Sequence, residues 1–328
     1  MRVTADTPPA SDGPLVRELS EDGLLARILP LLPRGEQTLV PPGDDAAVVA
    51  APDGRFVVTT DVLVEDRHFR RAWSSGQDVG RRAAVQNLAD VAAMGASPTS
   101  LVAALVIPGD LPVSWVEGLA RGLAAECLPL GVGVVGGDLS GGPAVVVAVT
   151  AHGDLGGRAP VLRSGARAGD LLAHAGVAGR SAAGLALLEA GRADVDPELV
   201  AAHLRPVAPV AAGPEAASAG ASAMLDVSDG LLRDAGRMAR ASGVRIELDS
   251  AAFRQDQERL RAAADTLGAV AQRWVLDGGE DHGLLAAFPP GCALPDAFRP
   301  VGRVRAGAGV HVDGEPAPAA SGWDHFAG

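Results

Sequence analysis

Carboxylates recur beside glycine and hydroxyl side chains at intervals along this chain. Asp44 and Asp45 follow Gly43, and Thr59, Thr60 and Asp61 close an apolar run. Gly137-Asp138 precedes Ser140, Asp226, Ser228 and Asp229 precede Gly230, and Gly278-Gly279-Glu280-Asp281 precedes His282. Asp90 has apolar residues on both sides, so it stands at the edge of a packed face or points into a site. Carboxylates and hydroxyls without Cys and with little His are the hard oxygen donors that Mg²⁺ takes, together with water and substrate phosphates. The chemistry they suggest is a magnesium-dependent phosphate site. Each residue alone is equally compatible with a solvated turn.

Composition narrows the mechanism. The net charge of −12 argues against nucleic acid or an anionic membrane as partner, because both need a basic surface. An acidic protein that handles phosphates needs cations, and bound metal supplies them. All 28 basic residues are Arg. Without Lys there is no P-loop lysine, no protein-kinase strand lysine and no Schiff base for pyridoxal phosphate. Cys127 and Cys292 are too few for a disulfide framework or a zinc knuckle, which fits a reducing cytoplasm. No apolar run approaches the ~18 residues of a membrane span. The opening MRVTADTPPASDGP lacks the apolar segment of a signal peptide and reads as a disordered tail.

The elements that must position these side chains follow from pattern. With 328 residues, two domains are expected. A composition change near Gly153–Pro160 divides a tail (1–19) and an N-terminal α/β domain (20–155) from a C-terminal α+β domain (156–328). Ser20 is the expected N-cap of a first helix. Ala46–Ala51 and Arg55–Thr60 flank Pro52-Asp53-Gly54 and read as a β-hairpin that brings the early carboxylates together. Gln77–Met94 and Ser114–Leu128 have helical spacing, and Leu101–Ile107 reads as a buried strand. Val132–Val135 enters a glycine-rich turn at 136–142, which lets backbone approach a phosphate beside Asp138. Ala223–Leu225 is the end of a strand that leads through Asp226, Ser228 and Asp229 into a helix, with Ser228 or Asp229 as its cap. Trp274–Leu276 and Gly283–Phe288 read as strands around the Gly-Gly-Glu-Asp turn.

In order, GDDAAVV, TTDVLVEDRHF, NLADVAAMGASP, GGDLS, LRSGARAGD, LDVSDGL, GGED and a closing WDHF resemble the thiamine-monophosphate kinases from about Ser20 to Phe326. The resemblance implies the two-domain fold of aminoimidazole ribonucleotide synthetase, with an N-terminal sheet forming a barrel across a homodimer and a C-terminal domain closing over the nucleotide. It implies ATP- and Mg²⁺-dependent phosphorylation of thiamine monophosphate to thiamine diphosphate, with several ions. Carried over by motif, Asp45, Thr59, Thr60, Asp61, Asp90, Asp138, Asp226 and Asp229 are the magnesium ligands, Asp90, Asp138 and Asp226 lying nearest the reaction. Gly137, Asp138, Arg163 and Ser228 are nucleotide contacts, and His68, Glu280 and Trp323 are thiamine contacts. Asp44 has no counterpart. His68 follows the charged run Glu65-Asp66-Arg67, a loop that would suit a lid.

The rivals are few. Selenophosphate synthetase needs a reactive Cys or selenocysteine and a Lys, and hydrogenase-maturation relatives end in Cys, whereas this chain ends Phe326-Ala327-Gly328. Aminoimidazole ribonucleotide synthetase is the nearest enzyme alternative. A two-metal phosphohydrolase would also cluster Asp residues but recruits several His, and a silent nucleotide-binding protein need not keep so many acids.

Overall fold

The computed structural model describes residues 13–41 and 46–317. Its contacts divide into two compact units, one of Met1–Val49, Thr60–Ala84 and Ser100–Thr150, the other of Ala50–Thr59, Val85–Thr99 and Ala151–Gly328. Asp44, Asp45 and Trp323 lie outside the described residues.

Toward the N-terminus, α1 (Glu21–Ile28) begins where expected, with Ser20 Oγ accepting a hydrogen bond from the Gly23 amide at 3.1 Å. Two short strands, β1 (Thr38–Val40) and β2 (Val48–Val49), pair antiparallel. Strands β3 (Val57–Val64), β4 (Ser97–Ile107), β5 (Gly133–Gly141) and β6 (Val146–Asp154) form a sheet in the order β3-β6-β4-β5. The expected hairpin over 46–60 does not form. Its turn does, with Gly54 at φ +73° and the Gly54 amide donating to Ala51 O at 3.0 Å, but the flanking strands part: β2 pairs with β1 and β3 with β6.

The glycine-rich stretch at 136–141 is also a correction, since it continues β5 in place of turning. Glycine serves there for close packing: a Cβ on Gly137 would sit 2.0 Å from the Ala103 carbonyl oxygen on β4. Helices α2 (Gly76–Ala93) and α3 (Val113–Cys127) approach in the same way, Gly80 lying where a Cβ would meet Leu119 O at 2.1 Å and Gly122 where one would meet Gln77 O at 2.3 Å.

Toward the C-terminus a seven-stranded sheet is built from β7 (Leu171–Ala175), β8 (Ala223–Val227), β9 (Arg245–Leu248), β10 (Gly283–Phe288), β11 (Phe298–Arg305), β12 (Gly309–Val312) and β13 (Glu315–Pro316), in the order β13-β12-β9-β11-β7-β10-β8. Successive residues of its central strands alternate between two apolar layers. Leu172, Leu225 and Leu285 pack with Ala183 and Leu187 of α4 (Arg180–Glu189) and with helices that follow β8 and precede β10. Ala173, Met224 and Ala286 pack on the other side with Ala212 and Ala216. Every residue of β8 and β10 is buried, which explains the unbroken apolar run of β10, while β8 is apolar except for Asp226. Helices α5 (Pro197–Leu204), α6 (Ala212–Ser218), α7 (Leu231–Ser242), α8 (Arg254–Leu267) and α9 (Ala271–Asp277) complete this part. Trp274–Leu276 is thus helical, a further correction to the expected strand: in α9 Val275 is buried in the core, and Trp274 and Leu276 pack partly buried against it.

Register sets the chemistry. Strand β10 runs antiparallel to both neighbours, and Leu284 lies opposite Ala175 of β7 and Asp226 of β8. The ends of β7 and β8 and the start of β10 therefore share one rim. No helix among the described residues is long and apolar enough to cross a membrane.

Candidate active site

On that rim the loop after β8 and the loop before β10 are packed backbone to backbone. The Glu280 amide donates to Ser228 O at 2.7 Å and the His282 amide to Val227 O at 3.1 Å. Glycine makes the approach possible: a Cβ on Gly279 would lie 2.4 Å from Ser228 O, and one on Gly230 2.5 Å from Asp277 O. Glu280 and His282 adopt φ of +67° and +51°, which non-glycine residues seldom do.

This turn aims His282 between two carboxylates. Its Nδ1 is 3.9 Å from Asp226 Oδ2 and its Nε2 is 3.7 Å from Glu280 Oε2, beyond hydrogen-bonding range but close enough for strong attraction in a buried setting. Burial disfavours the imidazolium, yet Asp226 and Glu280 outweigh it and hold the ring's pKa up to about 10. The two carboxylates thus favour the charged ring. Sequence reasoning left it unassigned, although a His two residues after Glu280 was the available signal.

Asp229 forms an ion pair with Arg237, which also binds Asp234 at 2.6 Å, and Asp234 Oδ2 accepts from the Asp229 amide at 2.9 Å. Burial, then the nearby Asp226 charge, pushes Asp234 up to about 7 against the pull of Arg237. Neither Ser228 nor Asp229 caps α7, whose N-cap is Gly230 at φ +117° with no side-chain bond. The capping expectation is corrected: Asp234 in the first turn reaches back to the Asp229 amide, and no side chain caps α7. Arg163 is exposed in a loop whose carbonyl accepts from Ser242 Oγ at 2.8 Å.

The other expected residues fall as follows. Thr59 Oγ1 donates to Asp90 Oδ2 at 2.8 Å, joining strand and helix residues 31 positions apart. Asp90 is half-buried among Leu88, Ala89, Val91 and Ala92, all buried. Thr60 uses its hydroxyl on Val149 O at 3.0 Å, and Asp61 is the next residue on β3, facing the opposite side. Asp138 is exposed on β5, 3.4 Å from Ser140 Oγ, and with Gly137 it borders a groove of about 340 Å³ that Leu25 of α1 and Leu119 and Leu123 of α3 also line. His68 sits in a tight turn: its Nδ1 accepts from the Val64 amide at 2.9 Å, and the Asp66 amide donates to Phe69 O at 2.7 Å.

Among the described residues no three His, Cys, Asp or Glu side chains form a ready-made metal cage. Mg²⁺ does not require one, since it usually takes one or two carboxylates and completes its shell with water and phosphate oxygens. The hard-oxygen pair Thr59–Asp90 and the carboxylate of Asp226 fit that chemistry.

The fold and these loops define the class. Residues 43–155 match the N-terminal domain, and residues 167–285 the C-terminal domain, of the AIR synthase related proteins. Within that class, the thiamine-monophosphate kinase of Mycobacterium tuberculosis is 48% identical over 99% of this chain and 97% of its own length. The thiamine-monophosphate kinase of Stenotrophomonas maltophilia has a crystal structure similar at a TM-score of 0.76, with 30% identity over 90% of this chain and 96% of that one. AaThiL complexed with AMPPCP and TMP is similar at a TM-score of 0.77, with 34% identity over 96% of this chain and 100% of that one. This chain belongs to the thiamine-monophosphate kinase family.

Proposed function

We propose that this protein transfers the γ-phosphoryl group of ATP to thiamine monophosphate, giving thiamine diphosphate and ADP. The observation that carries the reading is the shared rim, where Asp226 near the end of β8 lies beside two loops, carrying Ser228 and Glu280, that are held backbone to backbone. A phosphate oxygen of the acceptor, already ionised, attacks the γ-phosphorus in line; the new P–O bond forms as the bond to the ADP oxygen breaks. Such a nucleophile needs no strong general base, which agrees with the lack of Lys.

Thr59, Thr60, Asp61, Asp90, Asp138, Asp226 and Asp229 are the proposed magnesium ligands, with Asp45 beside them by motif. Bound Mg²⁺ neutralises the two polyanionic reactants and the charge on the moving phosphoryl group. Gly137, Asp138, Arg163 and Ser228 are proposed to hold the nucleotide. Glu280, His68 and Trp323 are proposed to hold the thiamine part, the carboxylate of Glu280 suiting a cationic thiazolium. A homodimer is proposed because β3 is an edge strand whose Val58 and Val62 are 56% and 44% exposed, an apolar edge that a second copy would cover.

The test is direct. Purified protein with MgATP and thiamine monophosphate should yield thiamine diphosphate and ADP in equal amounts. ATP consumption that releases phosphate without thiamine diphosphate would overturn the assignment in favour of a hydrolase.

A further inference from the structure

Asp229 stands just outside α7, between Ser228 and the N-cap Gly230, whose φ of +117° breaks the helical path. Helical hydrogen bonding therefore does not fix its carboxylate. Two side chains from inside the helix do. The Asp229 amide donates to Asp234 Oδ2 at 2.9 Å. One terminal nitrogen of Arg237 donates to Asp229 Oδ2, and the other donates to Asp234 Oδ1 at 2.6 Å. The three residues close a ring in which backbone and side chain of Asp229 are held by partners that also hold each other.

The ring does more than satisfy an amide. A serine or asparagine would accept from the Asp229 amide without taking a charge out of water. Asp234 is instead a carboxylate that is 1% exposed, a costly acceptor to bury unless its charge is paired. Its pair is Arg237, whose planar fork faces two carboxylates at once in a fixed geometry, as a lysine ammonium cannot. Arg233, one turn earlier on the same face of α7, approaches the same oxygen, with Nε 3.9 Å from Asp229 Oδ2. Both arginine contacts thus fall on Oδ2, and Oδ1 is the oxygen kept for a cation. Partners that orient a metal ligand in this way typically control metal affinity about as strongly as a weak ligand does, on the order of 10–100-fold.

We propose that Arg237, pinned by Asp234, is a positioning residue that orients the Asp229 carboxylate so that Oδ1 takes a divalent cation. The inference rests on the reading of Asp229 as a magnesium ligand and adds the two residues that aim it.

Metal binding tests it without relying on turnover: Mg²⁺ is titrated calorimetrically into the full chain with the ATP analogue AMPPCP present. The Arg237 side chain is 30% exposed, so its variants should fold, as circular dichroism and urea unfolding without metal will show. Arg237→Lys keeps the positive charge and loses the fork, and it should raise the half-saturating Mg²⁺ concentration about tenfold. Arg237→Gln removes a positive charge beside the site, which by charge alone would tighten Mg²⁺ binding. Positioning requires the opposite, a weakening of about tenfold. Because Arg237 acts through Asp229, adding Arg237→Lys to Asp229→Asn should weaken binding by no more than about twofold beyond Asp229→Asn alone.

Equal binding by wild type and Arg237→Lys, tighter binding by Arg237→Gln, or losses that multiply in the double variant would each overturn the proposal. An Asp229→Asn protein that titrates like wild type overturns it together with Asp229 as a ligand. Product formation judges the kinase reading separately. Thiamine diphosphate made by a wild type whose Mg²⁺ affinity is indifferent to Arg237 keeps the kinase and removes this inference. A wild type that makes none, yet binds Mg²⁺ through Asp229 and Arg237 as described, does the reverse.

Discussion

Acid should unfold this protein partly through one buried histidine of β7. His174 sits in the middle of β7, 1% exposed, with Leu285 and Arg299 as its partners on the two neighbouring strands and the Phe253 ring edge-on at 5.7 Å. Neither ring nitrogen has a hydrogen-bond partner. Burial, and then the Arg299 charge, lowers its pKa to about 3, against about 6.5 in an unfolded chain. Below pH 6.5 the unfolded chain binds a proton that the folded one refuses. The stability linked to His174 is therefore complete above pH 6.5 and declines as pH falls toward 3. At about 1.4 kcal/mol per pH unit, the loss is about 2 kcal/mol at pH 5. Asp234 and Asp281, both raised to about 7, act in the opposite sense: the folded chain holds protons that the unfolded one releases, so they stabilise at low pH and lose that effect as pH rises from 4 to 7. A raw pH profile mixes these contributions. The informative quantity is the difference between wild type and His174→Leu in urea unfolding at pH 7.5, 6 and 5. The advantage of the Leu variant should grow by about 2 kcal/mol over that range, and curves that stay parallel within about 0.5 kcal/mol would refute the reasoning.

Asp90→Asn should lower turnover on the order of a hundredfold with unchanged circular dichroism, since it removes a charge proposed to hold Mg²⁺ but keeps an acceptor for Thr59; near-normal activity would return Asp90 to a packing role. EDTA should abolish thiamine diphosphate formation and added Mg²⁺ should restore it, as scored by product chromatography. Gly137→Ala places a methyl 2.0 Å from Ala103 O, so β4 and β5 must shift, at a cost of about 1–3 kcal/mol in urea unfolding. Val58→Glu on the exposed edge of β3 should convert a dimer to monomer in light scattering, whereas an unchanged mass would place the interface elsewhere.

Much of the architecture could be read from pattern, and the misses share a cause. Ser20 announced α1, and the unbroken apolar run Gly283–Phe288 announced β10, because capping and two-sided burial leave local marks. Partner choice leaves none. The Pro52-Asp53-Gly54 turn formed as its residues dictate, yet nothing nearby said that β3 would pair with β6. Gly136-Gly137 looked like a turn because glycine's need here arises from Ala103, more than thirty residues earlier, and distance in sequence hides that. Within the site, the Thr59–Asp90 bond and the Glu280 loop lie on motifs that were recognised. The setting of His282 was not legible, since only folding places two carboxylates beside it.

Glu280 and His282 both hold left-handed backbone angles, and residues other than glycine occupy that region at a cost on the order of 1–2 kcal/mol each. Glycine at either position would relax the chain and remove the side chain on which the rim depends. Selection for thermal endurance and selection for turnover therefore pull Glu280 and His282 in opposite directions. A library screened only for heat resistance should drift toward glycine there and return sturdy, inactive proteins.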